Sequence, residues 1–222
     1  MPFESVGPLE NHSVKFREYV PEDLPSCVGL AREAWPLRSG LALNARADEL
    51  IGTWIGSVVD SATYAEVAED EHGIIGMLFA EVRGQPARRE RRSTYGIEVG
   101  MFFRGLAGDY GNTVMTVRFL ASFIMTELKL LVNRQGTDAE ISMLIVQEEH
   151  RGRGLGKQLV DRFIEASRAK GVKSISLYTD DQTSNWQFYE ILGFRQVAKF
   201  YDNGSSRYAG KHANALIYRL DI

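Results

Sequence analysis

Three glycines separated by single bulkier residues mark the stretch "RGRGLGK" (151 to 157) as the place where residue type and spacing indicate chemistry. The glycines are Gly152, Gly154 and Gly156, and the residues beside them are Arg151, Arg153, Leu155 and Lys157. The first backbone N–H groups of a helix lack internal partners and carry partial positive charge. Glycines leave those groups uncovered and permit unusual φ values. The pattern therefore predicts a turn that binds phosphate groups, with basic side chains around it.

Two common nucleotide-binding motifs do not fit this stretch. The Walker A motif ends in Gly-Lys-Ser/Thr, but Gln158 follows Lys157. The dinucleotide fingerprint requires Gly-x-Gly-x-x-Gly, whereas these glycines are spaced two and two. From the glycines alone, a tight strand-to-helix connection that binds nothing remains an alternative.

The elements around the turn predict a parallel strand-helix-strand unit. The run "AEISMLIVQ" (139 to 147) is typical of a strand, and "GKQLVDRFIEASRAKG" (156 to 171) of an amphipathic helix that ends at a glycine. The run "KSISLYTD" (173 to 180) is typical of a second strand, and a crossover helix between two strands makes them parallel. The segment "SNWQFYEILGF" (184 to 194) then predicts a short helix closed by Gly193.

The rest of the chain predicts further strands and helices around this unit. A strand at 14 to 20 precedes two helices, and a hairpin turns near Asp70 to Gly73. Two C-terminal strands, "RQVAKFYD" and "ALIYRL", are separated by the polar loop "NGSSRYAGKHAN". Residues 85 to 138 lack this regularity and are interpreted as an insertion with a basic run, "RRERR", and a long apolar helix. The acidic balance of the chain favours a solvated loop over a polyanion site for the basic run.

Composition and charge restrict the class of protein. The 222 residues are 44% apolar with a formal charge of -3, which predicts a globular protein without general affinity for nucleic acid or anionic membranes. Cys27 is the single cysteine and no apolar run has signal-peptide length, so a cytoplasmic protein is expected. The long helix of the insertion carries charged residues and is interpreted as a packing element or a homodimer face. Four histidines without ligand spacing predict no metal site.

Two motifs together resemble the GCN5-related N-acetyltransferase (GNAT) superfamily. Arg151, Gly154 and Gly156 match the family's acyl-CoA motif, Arg/Gln-x-x-Gly-x-Gly/Ala, and "TSNWQFYEILGF" matches its segment with an Asn and a Tyr one helical turn apart. The resemblance covers about residues 139 to 199. It implies an α/β fold with a mixed, mostly antiparallel sheet that splays between strands 4 and 5 and is flanked by helices. The whole chain, 1 to 222, is expected to be one such domain, with the insertion at about 85 to 138.

The resemblance also implies roles for individual residues. The pantetheine arm of acetyl-CoA would pair with the strand backbone at Leu144, Ile145 and Val146, and a backbone N–H would polarise the thioester carbonyl. The diphosphate would lie across the 151 to 157 turn, with Asn185 contacting the arm. Tyr189 is the candidate acid that protonates the departing sulfur.

The residues of the acceptor side are less defined by the sequence. Glu140 on the fourth strand is the candidate base, with Glu81 on the third strand as the alternative, and a water can relay the proton to either. His150 is expected beside the phosphates or facing solvent. The first two helices and the last hairpin are expected to build the acceptor pocket. This places the aromatic residues Trp35, Trp54, Tyr64, Tyr201 and Tyr208 in its general vicinity, without assigning a role to any one of them.

The function expected from this resemblance is transfer of an acetyl group from acetyl-CoA directly to a primary amine of a small molecule or protein. A noncatalytic acyl-CoA-binding regulatory module is the alternative. A structural dimer built around the 113 to 134 helix is compatible with either interpretation.

Overall fold

The structure is a computed structural model, and it describes residues 14–35, 46, 48–87, 100–101, 103–133 and 136–222. Strands and helices alternate along these residues. The strands are β1 (Lys15–Glu18), β2 (Tyr64–Asp70), β3 (Gly73–Val82), β4 (Ala139–Val146), β5 (Ser174–Asp180), β6 (Arg195–Tyr201) and β7 (Asn214–Asp221). The helices are α1 (Leu24–Ala34), α2 (Asp48–Ser61), α3 (Thr113–Asn133), α4 (Leu155–Ala169), α5 (Gln187–Ile191) and α6 (Asn203–Ala209).

The seven strands found in this part of the chain form one sheet, in the order β1-β2-β3-β4-β5-β7-β6. The neighbours β4 and β5 run parallel, and the other neighbouring pairs are antiparallel. Helix α4 is the crossover that joins β4 to β5, as the strand-helix-strand pattern predicted. The fold is therefore the mixed, mostly antiparallel sheet that the sequence led us to expect.

The sheet opens between β4 and β5. The two strands pair only from Ala139 to Ile141 on β4, although β4 remains paired with β3 as far as Val146. The register with β3 shifts at this point, because Met143 pairs with Phe79 while Ile141 pairs with Ala80. Ser142 is thus an extra residue, and such a β-bulge bends its strand and increases its twist. The predicted splay is confirmed, and the backbone of β4 beyond the bulge has no ladder partner on β5.

Apolar clusters cover both faces of the sheet. On one face α4 buries Leu159 and Phe163 completely, and on the other α2 buries Ile55 completely against the strands. Ile141 belongs to the first cluster and Met143 to the second, because the bulge between them reverses the alternation of side chains along β4. Beyond the bulge, Met143 and Ile145 therefore face α1 and α2, and Leu144 and Val146 pack against the α4 core.

Helix α3, which lies within the predicted insertion, packs against α6. Lys129 Nζ of α3 donates hydrogen bonds to the Tyr201 carbonyl oxygen at 3.0 Å and to Asn203 Oδ1 at 2.8 Å. No helix of the described residues is long and apolar enough to span a bilayer. The basic run at 88 to 92 lies outside the described residues.

Helix α6 replaces part of the loop that was predicted between the last two strands, so that prediction was wrong. Asp202 caps the helix by accepting a hydrogen bond from the Ser205 backbone N–H at 2.9 Å, and Gly210, with φ of +66°, follows its end. Glycine and serine have low helix propensity, but packing against α3 stabilises the helix here.

Candidate active site

A cavity of about 680 Å³ extends from the glycine-rich turn, along the gap between β4 and β5, to α3. All the predicted cofactor-binding residues except Arg153 line it: Leu144, Ile145, Val146, Arg151, Gly152, Gly154, Leu155, Gly156, Lys157 and Asn185. The predicted acid, Tyr189, lines it as well. The elements that the sequence motifs singled out therefore meet at one site.

The three glycines of the turn are required for two different reasons. Gly152 and Gly154 have φ values of +75° and +80°, which side chains rarely tolerate, and a Cβ on either would meet no atom within 4 Å. Gly156 has no such conformation, but a Cβ there would lie 3.3 Å from Cζ of Phe188. Glycines 152 and 154 thus shape the turn, whereas Gly156 allows α4 to approach α5.

Gly154 is the N-cap of α4, and no side chain caps that helix. The first N–H groups of α4 consequently face the cavity without a side-chain acceptor. Helix starts of this kind bind phosphate oxygens, because the free N–H groups and the helix dipole act together.

Basic side chains lie at the turn, although their environments differ. Arg151 Nε donates to the Val146 carbonyl oxygen at 2.9 Å, which ties the turn to the end of β4. Lys157 forms an exposed ion pair with Asp161 one helical turn later. His150 also lines the cavity, with Nε2 3.3 Å from Asp70 Oδ2, and its buried Nδ1 has no hydrogen-bond partner among the described residues.

Tyr189 presents a protonated hydroxyl group to the cavity. Its ring lies edge-on to Phe188 and Phe194 and is tilted against Tyr218, with centroid separations of 5.2, 6.1 and 6.2 Å. Burial raises the pKa of Tyr189 to about 12. Its hydroxyl group forms no hydrogen bond with another residue in the described ranges. This phenol is therefore a neutral proton donor at physiological pH.

The half of the cavity away from the turn has mainly aromatic and aliphatic walls. Trp35 and Trp54 come from α1 and α2, with ring centroids 5.1 Å apart at 64°. Helix α3 adds Phe119 and Ile124, and Tyr208 of α6 completes the wall. The contribution of α3 was not predicted, because the apolar pattern of this helix did not indicate which side faces the cavity.

Two of the five aromatic residues expected at the acceptor pocket lie elsewhere. Tyr64 packs on Phe163 of the α4 core, at a centroid distance of 5.0 Å, and donates a hydrogen bond to Glu66. Tyr201 is exposed at the surface, where its ring lies 5.1 Å from that of His212. Trp35, Trp54 and Tyr208 line the cavity, whereas Tyr64 and Tyr201 do not.

A buried carboxylate at the acceptor end was missed by the sequence analysis. Asp202 is completely buried and accepts hydrogen bonds from the hydroxyl groups of Thr126, at 2.7 Å, and Tyr178. Burial, followed by the nearby carboxylate, raises the pKa of Tyr178 well above its ordinary value, so this phenol stays protonated. All three residues line the cavity. The helix-capping pattern Asp-x-x-Ser at 202 to 205 was the sequence signal that could have predicted a structural role for Asp202.

The predicted base and its alternative do not line the cavity. Glu140 and Glu81 lie directly opposite each other on β4 and β3. The acidic residues of the described chain that do line it are Asp180 and Asp202. Asp180 is already engaged in the turn after β5, where its side chain accepts from the backbone N–H groups of Gln182 and Thr183.

Comparison with known proteins agrees with this geometry. Residues 116–194 match the model of the acetyltransferase (GNAT) family. The chain is 40% identical over 60 residues to mycothiol acetyltransferase of Beutenbergia cavernae, which is 27% of this chain and 20% of that protein. It is 31% identical over 72 residues to N-alpha-acetyltransferase 30 of Schizosaccharomyces pombe, which is 31% of this chain and 48% of that one. The matches thus span from about a fifth to about half of these relatives.

Solved structures share the fold at low sequence identity. Drosophila melanogaster polyamine N-acetyltransferase aligns with a TM-score of 0.55 and 15% identity, over 95% of this chain and 100% of that one. The PaiA N-acetyltransferase of Thermoplasma acidophilum, solved with coenzyme A, aligns with a TM-score of 0.51 and 16% identity, over 95% and 99% of the two chains. The residues that match the family model include the glycine turn and Tyr189. Residues 116–194 are thus similar to the GNAT acetyltransferases, and the described part of the chain shares the fold of solved N-acetyltransferase structures.

Proposed function

We propose that this protein is an acetyl-CoA-dependent N-acetyltransferase that transfers the acetyl group directly to a primary amine. The observation that carries the proposal is the arrangement around one cavity: a helix start free to bind phosphates, an unpaired strand edge and a protonated phenol. These are the groups needed to hold a thioester donor and to protonate its departing sulfur.

The donor side relies mainly on backbone groups. The N–H groups at the start of α4 bind the diphosphate of the coenzyme, with Arg151 and Lys157 adding positive charge. The edge of β4 from Leu144 to Val146, left open by the splay, forms hydrogen bonds with the amides of the pantetheine arm. An N–H on this edge polarises the thioester carbonyl, and Asn185 contacts the arm.

Tyr189 donates the proton that the departing thiolate takes up. Its raised pKa keeps the proton on the phenol until the sulfur becomes negatively charged. The amine must itself lose a proton, and Glu140 can receive it only through ordered water, because Glu140 does not line the cavity. Direct transfer requires donor and acceptor in one cavity, and the cavity extends continuously from the turn to the two tryptophans.

The walls of the acceptor half favour an amine with an aromatic or bulky apolar body. The tilted pair of Trp35 and Trp54 offers ring faces and edges to such a body, and ring faces also attract a cation. The carboxylate of Asp202 behind this half contributes negative potential. We therefore expect a small cationic amine with an apolar body to be preferred over a neutral or anionic acceptor.

A thiol-release assay with acetyl-CoA tests this function. We expect turnover with aralkyl amines, slower turnover with short alkyl amines and no turnover with the corresponding alcohols. Trp54→Ala should lower kcat/KM for an aralkyl amine by roughly 10-fold or more, because it removes most of one wall. Trp186→Ala, which changes a tryptophan outside the cavity lining, is the control for nonspecific damage. CoA binding without turnover on any amine would instead favour the noncatalytic module.

The pH dependence of turnover tests the state of Tyr189. With a peptide α-amine as acceptor, whose pKa is about 7.7, kcat/KM should rise through that value and then stay level to about pH 10.5. The plateau is expected because the phenol, with its pKa raised to about 12 by burial, keeps its proton over this range. A fall centred near pH 10, with circular dichroism showing a folded protein, would mean that an ordinary tyrosine is the acid.

A further inference from the structure

Tyr178 lies where the two central strands separate. It is the first residue of β5 beyond the ladder with β4, because the last pair of that ladder is Ile141 with Leu177. Ile175 and Leu177 belong to the cluster beneath α4, and side chains alternate between the two faces along a strand. Tyr178 therefore points to the other face of the sheet, where its hydroxyl group meets Asp202.

The face to which Tyr178 points is the face of the acceptor half. Trp35 and Trp54 pack against the apolar cluster on that face. Tyr189, by contrast, packs against the α4 cluster on the opposite face. Both tyrosines nevertheless line the one cavity that passes along the gap between β4 and β5. They therefore reach the gap from opposite sides, Tyr189 from the donor side and Tyr178 from the acceptor side.

The two phenols differ in what their hydroxyl groups can do. Tyr178 donates its hydrogen bond to Oδ2 of the completely buried Asp202, so its oxygen can only accept from a molecule in the cavity. Burial, followed by the charge of Asp202, raises the pKa of Tyr178 well above its ordinary value and outweighs the neighbouring Ser205 hydroxyl, which lowers it. The hydroxyl group of Tyr189 has no such acceptor among the described residues, so its proton is available to the sulfur.

We propose that Tyr178 accepts a hydrogen bond from the N–H of the attacking amine and takes a proton from it, with Asp202 as the positioning residue that keeps the phenol oxygen available. This inference rests on the proposed function and adds a direct acceptor for the amine proton. Glu140 does not line the cavity, whereas Tyr178 and Asp202 both do. An N–H held at the Tyr178 oxygen leaves the nitrogen lone pair free to point toward the thioester in the gap.

Proton transfer from nitrogen accompanies the exchange of bonds. The lone pair of the neutral amine forms the N–C bond with the thioester carbonyl carbon, the C–S bond breaks, and the sulfur takes the proton of Tyr189. The nitrogen, which is positively charged once it is bonded, gives a proton to Tyr178 while Tyr178 passes its own proton to Asp202. Tyr178 is thus restored, and the proton on Asp202 returns through solvent water to the Tyr189 phenolate after the products leave.

Tyr178→Phe removes the proposed proton acceptor and keeps the ring. With a peptide α-amine at pH about 9, where an amine of pKa about 7.7 is neutral, kcat/KM should fall by about 10²-fold. The affinity for CoA should change by less than about two-fold, because the diphosphate turn is untouched. Calorimetry of the amine into the CoA-saturated protein should show binding weakened by roughly 3- to 10-fold, since one hydrogen bond is lost.

Tyr218→Phe is the matched control for this variant. Tyr218 is on the neighbouring strand β7 and also donates its hydroxyl hydrogen bond to a carboxylate, that of Glu190, at 3.0 Å. It does not line the cavity. The control therefore loses the same atom and the same kind of hydrogen bond, and its turnover and amine binding should stay close to those of the unmodified chain.

Asp202→Asn tests the positioning role, because it reverses one hydrogen bond while the side chain keeps its shape. The amide oxygen can still accept from Thr126 and from the Ser205 N–H, as Oδ1 of Asp202 does. The amide nitrogen donates to the Tyr178 oxygen, so the phenol proton turns toward the cavity and occupies the lone pair of the amine. We expect kcat to fall by about 10²-fold, whereas KM for the neutral amine should stay within about three-fold.

A double variant tests whether Asp202 acts through Tyr178. Tyr178→Phe combined with Asp202→Asn should be no slower than the slower single variant, since the asparagine then has no phenol to reorient. Thermal unfolding and circular dichroism check the fold of each variant. Full turnover in Tyr178→Phe overturns the inference, and so does an equal loss in Tyr178→Phe and Tyr218→Phe. Full turnover in a folded Asp202→Asn protein overturns the positioning role. Absence of turnover by the unmodified chain with every amine would instead overturn the proposed function itself.

Discussion

Tyr189→Phe is expected to reduce kcat by about 10²- to 10³-fold while the affinity for CoA changes by less than about two-fold. The substitution removes the one hydroxyl that we assign as proton donor and leaves the ring in place against Phe188, Phe194 and Tyr218. The thiolate then has to leave without a positioned acid. Because the hydroxyl forms no hydrogen bond within the described part of the chain, its loss should not destabilise the fold. Steady-state kinetics, CoA titration calorimetry and thermal unfolding together measure the three effects.

The neighbouring tyrosine offers a matched control. Tyr218 is tilted against Tyr189, is completely buried and donates its hydroxyl hydrogen bond to Glu190 at 3.0 Å, but it does not line the cavity. Tyr218→Phe removes the same atom 6.2 Å away, measured between ring centroids. We expect it to lower the melting temperature and to leave kcat nearly unchanged. Similar losses of kcat in both variants would assign the effect to packing rather than to proton donation.

Gly154→Ala is expected to weaken CoA binding by roughly 30-fold or more. Gly154 has φ of +80° at the N-cap of α4, and a residue with a Cβ is strained by about 1 to 2 kcal/mol in that conformation. If the turn relaxes to avoid the strain, the N–H groups that bind the diphosphate lose their common direction. If it does not relax, the methyl group extends into open space beside the turn, where no atom lies within 4 Å, and can obstruct the phosphates that we propose to bind there.

Gly171→Ala separates the two consequences of this change. Gly171 has φ of +75° just beyond the other end of α4, and a Cβ there also meets nothing within 4 Å. The backbone strain should therefore be similar, but the site lies outside the cavity. Unfolding experiments should show comparable destabilisation of the two variants, whereas calorimetry with CoA should show a large loss for Gly154→Ala alone. Equal affinities in the two variants would contradict the assignment of the turn as the phosphate site.

Local sequence patterns were sufficient to predict the segments that meet at the glycine-turn end of the cavity. The glycine spacing and the Asn and Tyr pair mark segments whose function depends on backbone conformation, and such requirements restrict residue type at fixed positions. Even so, the pattern did not reveal that Gly156 serves the approach of Phe188, because that contact joins α4 to a helix more than 30 residues later.

The acceptor half could not be derived in this way. The bulge at Ser142 has no clear signature in "ISMLIV", yet it decides which cluster Ile141 and Met143 join. For the same reason, alternation along β4 could not show whether Glu140 faces the cavity. Phe119 enters the wall only because α3 packs against α6, and that contact depends on a helix whose residues have loop-like propensities. Packing between elements that are distant in the sequence, rather than local conformational preference, determines which residues line the acceptor half of the cavity.

The capped start of α6 affects how the cavity wall formed by α3 and α6 unfolds. Thr126, Tyr178 and the Ser205 N–H converge on a single carboxylate, that of Asp202, so the inserted helix, the central sheet and the last helix share one anchoring point. Breaking the hydrogen bond of any one of these three elements to Asp202 would weaken the anchoring of the other two. We therefore expect this wall to unfold as a unit before the rest of the protein. Amide exchange along residues 119 to 126 and 203 to 208 would then follow a common opening rate, distinct from that of the glycine turn.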